Sequence, residues 1–261
     1  MKIGFIGLGH MAGSILKAIS RHREYDFYVN DHHEDRLAKY KEELGERFAI
    51  SSYEEILSFC PYVFLGVKPT DMGSLLESIR PYVGSNVLIS MAAGYSLKEI
   101  LEKTRESTKV IRIMPNTPVA VNKGVSFAVY QNVCPIEKKR FLKMMSLTGA
   151  LYEIKEEDID TVSVLTGSTP AYLDYFLDAL IQFGVSKGFS ELEAREYVLK
   201  MAEGVIALDK ASSKSPIELG KEVCSPGGST IEGVDLLERN GFREMVKEAA
   251  EASYNKTKKM K

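Results

Sequence analysis

Hydrophobic spacing divides the chain into two differently patterned halves. In the first, short apolar runs alternate with stretches of helical period. Lys2–Ile6 reads as a strand, and Met11, Ile15, Leu16 and Ile19 follow it at helical spacing. A second strand covers 27–30, and Glu34–Leu44 reads as a helix. The run 62–67 is apolar almost throughout, the pattern of a strand buried on both faces of a parallel sheet. Further strands are predicted over 86–91, 110–114, 124–130 and 150–154, with helices over 52–59 and 137–147. From about Asp158 the strands stop. Leu173, Phe176, Leu177, Leu180 and Ile181 follow a helical period. Thr169-Pro170 either caps that helix or, with Gly167, kinks a longer one. Ser190 with Glu193, and Ser215 with Glu218, are capping boxes that open two more helices. A helix over 231–239 stops at Asn240-Gly241, and a last one uses Phe242, Met245, Val246, Ala249 and Ser253. The apolar stripes of this half are wide enough to pack against a second chain as well as within one.

The first strand runs into Gly7-Leu8-Gly9-His10-Met11-Ala12, and a helix begins at once. Strand, G-x-G-x-x-A and helix in that order form a dinucleotide fingerprint. Gly7 allows the tight turn, Gly9 lets a pyrophosphate approach the backbone, and Ala12 allows close packing of helix on sheet. The fold class that follows is α/β: a Rossmann-type domain over 1–157, then an all-α domain over 158–261. Ligands bind beyond the carboxyl ends of such strands. Ile6, Gly7, Leu8, Gly9, His10, Met11 and Ala12 are therefore expected to share a crevice with Val67-Lys68-Pro69, Ala92-Ala93-Gly94 and Asn116. Lys68 also reads as an ordinary solvent lysine. Asp31 ends the second strand, where an acid can accept the ribose 2′-hydroxyl of NADH and repel the 2′-phosphate of NADPH. It equally suits a turn carboxylate near the start of the next helix. His32, His33 and Arg36 stand close enough in sequence to serve a phosphate.

A second constellation lies late in the chain, at Cys224-Ser225-Pro226-Gly227-Gly228-Ser229-Thr230-Ile231. A glycine-rich turn running into a helix start leaves backbone N–H groups free and pointing one way. That suits a small anion such as a carboxylate, with the helix dipole helping. Thr230 adds a hydroxyl at the rim. The bland alternative is an ordinary turn between helices.

Composition narrows the partners. The chain has 261 residues, enough for about two domains, and a net charge of -2 with no basic stripe, so nucleic acid is not expected. Three cysteines form no CxxC pair and all four histidines precede residue 34, so no zinc-type metal site is expected. Sparse, odd cysteines fit a reducing cytoplasm. The chain opens directly into its first strand, so no cleavable signal is expected, and no apolar run has the length of a membrane span.

The helical half contains no histidine, and 161–186 contain no lysine, which disfavours a β-hydroxyacid-type dehydrogenase with a helix-borne lysine. Tyr254 and Lys258 make a Tyr-x-x-x-Lys pair, but at the far C-terminus, where surface spacing explains it. A site without a strong acid or base suits a C=N bond, since an imine protonates from solvent and then accepts hydride directly.

These residues resemble pyrroline-5-carboxylate reductase along the whole chain. The resemblance is carried by Gly4 to Ala12, Val67-Lys68-Pro69, Ala92-Ala93-Gly94, Arg112 to Pro118, Thr166 to Tyr172 and, most specifically, Cys224 to Ile231. It implies reduction of 1-pyrroline-5-carboxylate to L-proline with NADPH or NADH, the last step of proline biosynthesis. It also implies an interleaved homodimer of helical domains, often built up into a decamer. Thr230 would be the catalytic hydroxyl facing the ring nitrogen. Ser225, Gly228 and Ser229 would hold substrate with it, and Glu156 would stand where the family brings an acid towards the substrate. Three positions depart from the family pattern. Asp31-His32 replaces the small hydroxyl residues used near a 2′-phosphate, Thr169 replaces glycine or serine, and Ser213 stands where some members have an acid. A non-catalytic NAD(P)-sensing regulator would need the first motif but not an intact Ser225–Thr230 turn, which is present here.

Overall fold

A computed structural model describes residues 1–259 of the chain. Two compact units emerge. One comprises Met1–Gly167 with the described residues from Tyr254 onward, and the other comprises Ser168–Ser253.

The first unit alternates strand and helix. Its elements are β1 (Lys2–Ile6), α1 (His10–Ser20), β2 (Asp26–Asn30), α2 (Glu34–Leu44), β3 (Phe48–Ile50), α3 (Tyr53–Phe59), β4 (Tyr62–Leu65) and α4 (Pro69–Ile79). They continue with β5 (Val87–Ser90), α5 (Leu97–Lys103), β6 (Lys109–Met114), β7 (Gly124–Gln131), α6 (Pro135–Met145) and β8 (Gly149–Glu153). The strands form one sheet in the order β3-β2-β1-β4-β5-β6-β7-β8. All neighbours are parallel except β6 and β7, which run antiparallel. The chain winds outward from β1 through β2 to β3, then returns to place β4 on the other side of β1. The switch point of this doubly wound sheet therefore lies between β1 and β4.

Helices cover both faces. One core joins Phe5, Phe27 and Phe64 to Ile15, Leu16 and Leu37 of α1 and α2 and Phe141 of α6. The other joins Ile6, Val63 and Leu65 to Ile56, Met72, Leu76 and Ile100 of α3 to α5. Strand residues thus alternate between two apolar layers, which explains why β4 reads as a continuous apolar run. Three details differ from the sequence expectation. β4 stops at Leu65 and leaves Gly66 and Val67 in the connection. β3 has three residues, too few to show a period. β7 follows β6 through a short 3₁₀ segment (Thr117–Val121) with left-handed Asn122 at φ 62°, so no crossover intervenes and the strands run antiparallel.

Beyond β8, α7 (Ile159–Val162) passes through a π-helical segment (Ser163–Ser168) into α8 (Thr169–Ser186). α8 itself opens at Thr169, and Gly167 belongs to the π-helical segment before it. Pro170 sits in the first turn of α8, where its missing N–H costs least.

The second unit contains most of α8, then α9 (Glu191–Ala211), α10 (Pro216–Val223), α11 (Ser229–Arg239) and the start of α12 (Phe242–Lys258). Both predicted capping boxes are formed, at Ser190 with Glu193 and at Ser215 with Glu218. α8 and α9 pack closely where Gly184 faces Ala194; a Cβ on Gly184 would lie 3.0 Å from that of Ala194. The Tyr172 hydroxyl of α8 donates to the Ala249 carbonyl of α12 at 3.1 Å. Yet this unit buries few apolar side chains, and Phe183, Leu192, Tyr197 and Leu236 stand exposed, Leu192 at 77%. An apolar surface on that scale is the mark of an interface.

Candidate active site

The glycine turn sits at the switch point. Gly7 follows the last paired residue of β1, and Gly66 follows the last of β4. Gly7 adopts φ +86°, and a Cβ on it would stand 2.8 Å from the carbonyl carbon of Gly66. A Cβ on Gly66 would in turn lie 2.5 Å from that of Ala12. Two backbone turns and the start of α1 therefore cross with no room for side chains. Gly66 is a cradle residue that motif matching passes over. Its only signal in the sequence is a glycine that ends a buried apolar run.

Gly9 caps α1 without any side-chain hydrogen bond, so the first N–H groups of α1 remain open at the positive end of the helix dipole. A cavity of about 350 Å³ lies against this end, with Gly7, Gly9, Asp31, Arg36, Val67 and Lys68 among its walls. Bare backbone, a helix N-terminus and a cavity at the strand ends fit a dinucleotide pyrophosphate.

The other predicted residues take distinct places. Ile6, Leu8 and Ala12 are buried, Met11 is half-buried and His10 is exposed at the mouth. Lys68 is exposed and caps α4, and Pro69 is the first residue of that helix. Ala92 and Gly94 are buried in the turn after β5, with Gly94 at φ +76°, while Ala93 is half-buried. Asn116 uses both ends of its amide. Its Oδ1 accepts from Val125 N–H at 2.8 Å, and its Nδ2 donates to the Thr166 carbonyl at 3.1 Å. It ties the π segment to β7.

Asp31 is not the cap of α2; His33 occupies that position, and no side chain caps the helix. The carboxylate turns inward and is 3% exposed. Its Oδ2 accepts from Leu8 N–H at 2.5 Å, its Oδ1 from His33 N–H at 2.8 Å, and Arg36 Nη1 lies 3.4 Å from Oδ2. Asp31, His32 and His33 also bring one donor atom each within 4.8 Å of one another, a grouping the histidine count did not suggest.

Glu156 has a structural engagement that spacing did not suggest. Its Oε1 accepts from Arg112 Nη1 at 2.6 Å and from Leu97 N–H at 3.0 Å. Leu97 opens α5, separated from the Ala92-Ala93-Gly94 turn by Tyr95 and Ser96. The carboxylate therefore joins β6 to the loop at the end of β5.

In the helical unit, Ser225 to Gly228 close a β-turn in which Gly228 N–H donates to the Ser225 carbonyl at 3.0 Å. Pro226 and Gly227 occupy its centre, and Gly227 takes φ +72°, as a type II turn requires. Gly228 caps α11 with no side-chain hydrogen bond, so the N–H groups that open α11 have no side-chain acceptor. Ser229 and Thr230 are exposed on this first turn. Tyr254 and Lys258 form a local pair on α12, the ammonium 4.5 Å from the ring centroid.

Comparison with known proteins follows the same two-part division. A family model described as pyrroline-5-carboxylate reductase dimerisation matches residues 156–260, and one described as NADP oxidoreductase, coenzyme F420-dependent, matches 2–94. The pyrroline-5-carboxylate reductase of Aquifex aeolicus is 32% identical over 261 residues, covering 100% of this chain and 97% of that protein. That of Escherichia coli is 32% identical over 265 residues, covering 99% and 98%. The solved structure of Plasmodium falciparum pyrroline carboxylate reductase with NADP bound superposes with a TM-score of 0.91 at 30% identity, over 100% of this chain and 98% of that one. The Streptococcus pyogenes 1-pyrroline-5-carboxylate reductase gives the same TM-score and identity, over 99% and 98%. With the crossed glycine turns, the uncapped Ser229-Thr230 helix start and full-length likeness all present, the chain belongs to the pyrroline-5-carboxylate reductase family.

Proposed function

We propose that this protein reduces 1-pyrroline-5-carboxylate to L-proline with NADPH or NADH, the last step of proline biosynthesis. Residues 1–157 serve as the dinucleotide-binding domain and 158–261 as the substrate and dimerisation domain. A bound nucleotide would supply a hydride to the imine carbon once the ring nitrogen has taken a proton from solvent. The observation that carries this reading is the Ser225–Thr230 turn, complete and uncapped, in a chain whose glycine cradle is also complete.

The backbone N–H groups of Gly228, Ser229 and their neighbours, with Ser225, hold the substrate carboxylate at the helix start. Thr230 aims its hydroxyl at the ring nitrogen, whose charge falls as hydride arrives. It is therefore the catalytic residue of this reading. Glu156 enters through Arg112 and Leu97, as a positioning residue for the turn after β5. Ile6 to Ala12, Asp31, Val67 to Pro69, Ala92 to Gly94 and Asn116 build the nucleotide side.

The exposed apolar faces of the helical unit support a homodimer, and the same faces can serve larger assemblies up to a decamer. No helix among the described residues is long and apolar enough to cross a membrane. The cytoplasm is the proposed compartment, with neither nucleic acid nor membrane as partner.

The test is spectrophotometric. Oxidation of NADH and of NADPH is followed with pyrroline-5-carboxylate and, separately, with ketones derived from 3-hydroxyacids. Turnover with the imine and almost none with the ketones is expected. Tight nucleotide binding without turnover would instead support a sensor.

A further inference from the structure

We infer that Asp31 makes the nucleotide pocket select NADH over NADPH. The inference deepens the nucleotide half of the reading above and does not depend on the identity of the imine.

Two uses of Asp31 can be separated by its hydrogen bonds. The bond from His33 N–H to Oδ1 is the local i to i+2 contact of an Asx-type turn and would serve any exposed turn carboxylate. The bond from Leu8 N–H to Oδ2 is different. It spans 23 residues and fastens the carboxylate to the glycine turn itself. A turn residue needs no such tether. The tether places the two oxygens in the wall of the cavity that Gly7 and Gly9 also line.

The charges around it decide what the carboxylate can accept. An ionised carboxylate has about four acceptor positions and no donor. The described contacts use Leu8, His33 and Arg36, which leaves capacity for a ribose hydroxyl. A hydroxyl donates into that capacity. A 2′-phosphate cannot donate in its dianionic form, and it would meet a like charge in a part-buried site where screening is weak. The cation beside the carboxylate is already engaged: Arg36 Nη1 donates to the Leu8 carbonyl at 3.0 Å and lies 3.4 Å from Asp31 Oδ2. His32 and His33 are exposed, with ring centroids 4.2 Å apart. They line the same cavity with Lys68, but all three are exposed, where water screens what they can offer a phosphate.

The experiment is a calorimetric titration of the full chain with NAD⁺ and with NADP⁺, in the absence of imine. Wild-type protein is expected to bind NAD⁺ roughly tenfold or more tightly, equivalent to about 1.4 kcal/mol. Asp31→Asn, which keeps an acceptor and removes the charge, should narrow that ratio several-fold. Asp31→Ser should bring the ratio to one or invert it, because Arg36 is then released from its partner. Equal or tighter binding of NADP⁺ by wild type overturns the inference. So does a ratio that stays the same in Asp31→Asn with an unchanged melting temperature. If Asp31→Ser fails to fold, wild type against Asp31→Asn still decides. Because only binding is read, failure here leaves the proposed reaction standing, and failure of the reaction leaves the selectivity measurable.

Discussion

Arg112 and Glu156 meet at 2.6 Å, from the middle of β6 to the segment that leads into the helices. The Arg112 side chain is 2% exposed, and Glu156 is 34% exposed. A buried guanidinium on a strand needs a counter-charge, and this one takes it from a residue 44 positions away. The same carboxylate oxygen accepts the Leu97 N–H, so one group stabilises a buried charge and pins the loop after β5.

Glu156→Ala should therefore be costly. Removing one partner of a buried pair costs about 3 kcal/mol, taken at the lower end because Glu156 is partly in water. In a chain of this size that is a fall of roughly 6–12 °C in Tm. Glu156→Gln, which can still accept from Leu97, should lose less. An unchanged Tm combined with a raised KM for pyrroline-5-carboxylate would mean that Glu156 contacts substrate and that its tie to Arg112 is incidental.

Thr230 is expected to act on the rate. A hydrogen bond that strengthens as the ring nitrogen changes charge contributes roughly 1–3 kcal/mol, about tenfold to a hundredfold in kcat. Thr230→Ala should show that loss with nucleotide affinity and Tm nearly unchanged, since the side chain is exposed on the first turn of α11. Thr230→Ser should recover much of it. Equal impairment of the two variants would assign the effect to the methyl group and remove the hydroxyl from the mechanism.

Acid stability should depend on Glu137. Burial pushes its carboxyl up, but hydrogen bonds from Lys109 and from the Cys134 N–H outweigh that, and the net shift is downward from 4.5. The bonds measure 2.6 Å and 3.0 Å. A depressed folded-state pKa contributes stability above 4.5 that is lost as the pH falls through the folded value. At pH 7, Glu137→Gln should cost roughly 1.5 kcal/mol. Urea midpoints of wild type and variant should converge as the pH drops below 4.5. A gap that stays constant across that range would show that the charge on Glu137 contributes nothing.

What the sequence determined by itself is what is local. A G-x-G-x-x-A string between a strand and a helix specifies its own turn, and the two Ser-x-x-Glu boxes form their own caps, because every group involved lies within a few residues. The end of the apolar strand runs near Asp158 is local in the same sense, whereas β3, α4 and α5 went unread. Only the tertiary structure decided that Gly66 crosses Gly7, that Glu156 belongs to Arg112 and Leu97, and that Asn116 ties β7 to the π segment. It also decided that Asp31 faces the glycine turn and not its own helix, a choice that spacing left open. Each of these depends on which strand returns beside β1 and on how deeply a charge is buried once it does. Those quantities belong to the assembled sheet, where chain segments far apart in sequence must share one low-dielectric interior and satisfy one another's polar groups.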